Sequence, residues 1–152
     1  MTDDATQPFA FHSHVDQRLR RKPAGRYCQS RAVRIRHGRT LSPGDPLDYF
    51  AEMALCIANL LSGEYEAAAA SGQRAIALNP GFSSSHKGYL AAMGHLGRRD
   101  AAAASLATLL KLEPGFSVED AVRRSPFATA GGRALYADGL LTVGLRRTPR
   151  DH

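Results

Sequence analysis

Two stretches decide the fold: LSGEYEAAAASGQRAIALNPGF (61–82) and HLGRRDAAAASLATLLKLEPGF (95–116). They superimpose without a gap at an offset of 34 residues. Gly63 falls on Gly97, Ala68 on Ala102, Ala75 on Leu109 and Leu78 on Leu112, and Pro80-Gly81-Phe82 falls on Pro114-Gly115-Phe116. Each recurring type has a physical reason. A glycine after an apolar helix takes the left-handed backbone that ends it in a tight turn. The acids that follow, Glu64, Glu66 and Asp100, suit the positive end of the next helix. Ala68 and Ala102 are small where paired helices pack closely, and Pro80 and Pro114 stop the second helix of each pair for want of an N–H. Phe82 and Phe116 then plug the space beneath the next unit. A fixed period of this length marks a repeat of helical hairpins, each of which buries its apolar face only against its neighbours.

The flanking sequence follows the same frame. A first helix is predicted over 46–62, apolar at Phe50, Met53, Ala54, Ile57, Ala58 and Leu61, with its partner over 64–78. The second pair is predicted over 83–96 and 98–112. A short helix over 117–124 opens with Ser117 and Asp120, a variant of the capping box. Ser125-Pro126-Phe127 breaks it, Gly131-Gly132 loosens the link, and a last helix over 132–143 is expected to cap the open end of the stack. The fold class expected is all-α: a right-handed stack of two hairpins plus C-terminal capping helices over 41–145. A basic, disordered arm (1–40) precedes it and a disordered tail (146–152) follows.

Composition agrees. In 152 residues there is room for one ordinary domain, and 43% apolar residues suffice for a core. Tryptophan is absent and aromatics are only 7%, so the core rests on Ala and Leu, which enter helices at little cost. No apolar run approaches the roughly 18 to 20 residues that span a bilayer. The start, MTDDATQPFAFHSH, has acids where a secretion signal has positive charge. A soluble, cytoplasmic protein with no membrane contact is the expectation, with Cys28 and Cys56 as free reduced thiols. The net charge of +6 lies entirely in the arm, where Arg18, Arg20, Arg21, Lys22, Arg26, Arg31, Arg34, Arg36 and Arg39 face only Asp3, Asp4 and Asp16. Residues 41–152 hold eleven basic and eleven acidic residues. The arm is therefore the one place for weak, non-specific, salt-dependent association with nucleic acid. It contains no helix-turn-helix, zinc or RNA-recognition pattern.

The 34-residue period, with LSPGDPLDYF, GEYEAAAASGQRAIALNPGF, LGRRDAAAASLATLLKLEPGF and SPFATAGGRALYADGLLTVGL, resembles the tetratricopeptide repeat (TPR). In particular, it is similar to the C-terminal end of bacterial adenylate/guanylate cyclase-type signalling proteins that carry such arrays. Similar tails occur on some transcriptional regulators. The resemblance covers about residues 40 to 145. Pro126-Phe127 and Gly144-Leu145 match its closing turn and last helix, whereas the acidic segment after the turn is replaced by Ala128-Thr129-Ala130. The resemblance implies a non-catalytic protein-binding or scaffolding region, with no cofactor. The cyclase catalytic region has no counterpart here, so the chain alone is not expected to be an enzyme. The arm matches no preceding repeat, which favours a truncated gene over a short regulator with its own arm.

In the family register, the first helix of each pair lines a concave groove. The groove candidates are Phe50, Met53, Ile57, Asn59 and Leu60 from the first unit, and Ser84, Lys87, Ala91, Gly94 and His95 from the second. An exposed apolar face marks an interaction site. With two repeats plus a cap, a homodimer through the end near Phe50 would complete the stack. Lys87 could grip a carboxylate such as a peptide C-terminus, but the asparagines and second basic residue of a carboxylate clamp are missing from its own helix; a solvated lysine is the simpler reading. His12, His14, Cys28 and His37 match no zinc spacing. Ser83-Ser84-Ser85-His86 reads as a helix start rather than a nucleophile site, and Cys56 reads as core.

Overall fold

A computed structural model describes residues 45–148. They form six helices: α1 (Asp48–Leu61), α2 (Tyr65–Leu78), α3 (Ser83–His95), α4 (Arg99–Leu112), α5 (Val118–Arg123) and α6 (Ala130–Thr142), with no strand among the described residues. The expected arm, with its basic residues and the His12, His14, Cys28 and His37 set, lies outside the described residues.

Both hairpins turn alike. Gly63 and Gly97 have φ of 77° and 69°. At the first turn Glu64 N donates to Asn59 O and Gly63 N to Leu60 O; at the second, Arg98 N donates to Met93 O and Gly97 N to Gly94 O. These paired bonds satisfy carbonyls that a helix end would otherwise orphan. The register reaches into the interior as well. Glu52 and His86 stand 34 residues apart, both buried, and each is tied to its second helix. Arg74 Nε donates to Glu52 at 3.1 Å and Arg74 Nη2 to Ser71 at 3.2 Å; His86 Nδ1 meets Ser105 Oγ at 2.8 Å. His86 Nε2 faces the Pro80 carbonyl at 2.8 Å, which accepts only, so Nε2 carries the proton and the Ser105 hydroxyl donates to Nδ1.

Helix α3 is the hub. It packs against α1, α2, α4 and α6, and Leu90, Ala91 and Ala92 in its centre are fully buried. Around it, Leu60, Leu109, Leu140, Phe116, Val118, Phe127 and Tyr136 complete the core. The approach of α6 is the tightest. A Cβ on Gly94 would stand 1.8 Å from the Gly139 carbonyl oxygen, so the two helices cross at backbone contact and only glycine fits.

Three expectations are corrected. Helix α1 buries Glu52, Leu55, Cys56, Ala58, Asn59 and Leu60, a face rotated from the predicted stripe, because α2 and α3 both pack on it. The last helix packs on α3, and the outward positions Ala103, Ala104, Ala107 and Leu110 of α4 stay exposed instead of being capped. Its start is not loosened at Gly131-Gly132 either, since the Thr129 hydroxyl accepts from Gly132 N at 3.1 Å and caps it. Finally, residues 146–148 are tied down. Arg146 O accepts from Val118 N at 3.0 Å, Thr148 N donates to Glu119 at 2.7 Å, and Thr148 Oγ1 lies 2.8 Å from Ser117 Oγ. The predicted capping box of Ser117 and Asp120 is present at the start of α5.

Candidate functional site

Between the amino-terminal halves of α1 and α3 lies a cleft of about 360 Å³. Met53 and Ile57, one turn apart on α1, form one wall; Ser83, Ser84 and Lys87 of α3 form another. The turn after α4 brings Glu113, and the end of α5 brings Arg124. Pro126, Phe127 and Tyr136 complete the apolar side, with the Phe127 and Tyr136 rings edge to face at 5.0 Å. Such a volume, apolar with a few convergent polar groups, is typical of a binding pocket.

The polar side is built around one carboxylate. Lys87 Nζ donates to Glu113 Oε1 at 2.6 Å and Arg124 Nη1 to Glu113 Oε2 at 2.8 Å, while the Ser83 side chain also bonds it. Lys87 is only 13% exposed and its ammonium stands 4.3 Å over the Phe116 ring. Burial alone would raise the Glu113 pKa. The hydrogen bonds from Lys87 and Ser83 and the charges of Lys87 and Arg124 outweigh it and hold the carboxyl below its ordinary range. Helix α3 itself has no side-chain cap and no acid in its first turn. Burial, then the charges of Cys56 and Glu113, pushes the Tyr136 hydroxyl up, so it stays protonated.

The structure gathers four of the predicted groove residues, Met53, Ile57, Ser84 and Lys87, into this cleft. Phe50 is 53% exposed but lies outside the lining, its ring 6.3 Å from that of Phe82. Asn59, Leu60, Ala91 and Gly94 are corrected: they are buried core, because α6 lies over the carboxyl half of α3 where an open groove was expected. His95 is likewise part of that contact, with Nε2 donating to Leu135 O at 2.6 Å and its ring stacked on Tyr65 at 4.6 Å. The reading of Lys87 as a solvated charge is corrected too. Arg124, Glu113, Phe127 and Tyr136 had no local signal, since they meet Lys87 only through the packing of distant segments.

Ser85 and His86 are buried, consistent with a helix start and a structural tie rather than a reactive pair. Cys56 is buried in the core, and burial pushes its thiol up to about 12, which leaves it protonated and unreactive. Among the described residues no group of His, Cys, Asp and Glu is placed to hold a metal, and no helix is long and apolar enough to cross a membrane. Compared with family models, with curated proteins and with solved structures, the chain finds no match.

Proposed function

We propose that this chain is a non-catalytic protein-binding module of tetratricopeptide type, and that the cleft between α1 and α3 is where a partner docks. The observation that carries the reading is the cleft itself: an apolar wall of Met53, Ile57 and Phe127 beside the charged cluster of Lys87, Glu113 and Arg124. It lies where the first helices of two repeated hairpins face each other. Interfaces that combine an apolar centre with a charged rim have this composition. The resemblance to the repeat-bearing end of cyclase-type proteins extends the proposal to a regulatory role in signalling. The exposed Leu47 and Phe50 extend it to a homodimer through the α1 end.

The test compares partners captured by proximity labelling in the source cells. Met53→Lys fills the cleft with charge, and Ala104→Lys, on the exposed side of α4, serves as control. Met53→Lys is expected to lose a set of partners that the wild type and Ala104→Lys both keep. Identical partner sets for all three would refute the cleft as the docking site.

A further inference from the structure

We propose that the cleft recognises an acidic side chain adjacent to an apolar one on an extended segment of a partner protein, and that Glu113 holds the acid's place within the chain. The inference rests on the docking site proposed above. Ser83, Lys87 and Arg124 converge from α3 and α5 on a single carboxylate, at 2.6 Å for Lys87 and 2.8 Å for Arg124. Such charge-assisted bonds are the strong ones, and they show what this corner of the cleft selects. Two cations against one carboxylate leave the cluster one positive charge in excess. Lys87, mostly desolvated over Phe116, has little water to satisfy it. The uncapped start of α3 adds its partial positive charge on the same side. A second carboxylate is therefore attracted to this corner, sharing Arg124, which is 58% exposed, and competing with Glu113 for Lys87.

The apolar half of the cleft sets the rest of the ligand. Met53, Ile57, Pro126 and Phe127 adjoin the charged corner, so an aliphatic or aromatic neighbour of the acid is buried while its carboxylate meets the cations. The acid comes from a side chain within a segment, as Glu113 itself does.

Nuclear magnetic resonance titration of the ¹⁵N-labelled full chain tests this with three probes: N-acetyl-leucyl-glutamate amide, its glutamine counterpart and inorganic phosphate. The acidic probe is expected to shift the amides of Ser83, Ser84 and Lys87 saturably, and the glutamine probe to bind about tenfold more weakly. Arg124→Ala, at a half-exposed side chain that the fold tolerates, weakens the acidic probe several-fold; Glu113→Gln, which removes the internal competitor, tightens it. Equal binding of the acidic and glutamine probes, or no saturable shift from either, overturns the proposal. Phosphate binding as tightly as the acidic probe also overturns it, and points to a phosphorylated ligand. If the probes fail while Met53→Lys still sheds partners, the ligand class is wrong and the docking site stands; if both fail, the cleft is not the recognition surface.

Discussion

Ser83, Lys87 and Arg124 reach Glu113 from different segments, and this one carboxylate joins the turn after α4 to α3 and α5. Its pKa is held down in the folded chain, so the unfolded chain binds that proton more readily. The stability it contributes is therefore fully present above the unfolded pKa, about 4.3, and is lost as pH falls through the folded value. Glu113→Gln is expected to cost about 1 to 2 kcal/mol at pH 7 in urea denaturation, because it leaves Lys87 poorly paired in a mostly buried position. The gap between wild type and variant should close as pH falls from about 5 to about 3. A gap constant across that range would show that the ion pair contributes nothing. Nothing local announced this residue: Glu113 occupies the repeat position of Asn79 and reads as part of a helix terminator.

At the scale of the element, the crossing of α3 and α6 carries the sharpest expectation. A methyl group on Gly94 would meet the Gly139 carbonyl at 1.8 Å, whereas one on Gly131, in the first turn of α6, would meet nothing within 4 Å. Gly94→Ala should destabilise by about 3 kcal/mol through overpacking. Gly131→Ala should be neutral or stabilise by about 0.5 kcal/mol, since alanine loses less backbone freedom in a helix. Thermal melts of the two variants decide it, and a similar shift for both would contradict the crossing. Helix limits were legible to within about two residues, because caps and breakers act over one turn. The buried face of α1 was not. Apolar spacing names a stripe, but the neighbours α2 and α3 determine which part of the circumference is covered.

For the whole molecule, α6 is the cover of the central helix. Ala91 and Gly94 are buried under it, and Phe127 and Tyr136, on either side of its start, form part of the core. Truncation after Arg124 should expose that surface. The shortened chain is expected to bind a hydrophobic dye and to lose its single cooperative unfolding transition, as judged by circular dichroism in urea. A truncated chain that unfolds cooperatively and stays dark with dye would mean that the two hairpins are self-sufficient. The same helix explains why the predicted groove contracts to a cleft. Its carboxyl-half positions, Ala91, Gly94 and His95, are taken by the chain's own last helix, and only Met53, Ile57, Ser84 and Lys87 remain around open space.

By itself the sequence determined the helical class, the 34-residue frame, both hairpin turns and the capping box of α5. Those features rest on glycine, proline and capping side chains whose effects are felt within a few residues of where they stand. Only the tertiary structure decided that α6 lies on α3, that α4 keeps an exposed face, and that Lys87 is an ion-paired wall of a cleft. Lys87 meets a carboxylate 26 residues away, and that carboxylate meets a guanidinium a further 11 residues on. Such a meeting depends on the angles and distances at which helices pack, and no spacing along the chain encodes it.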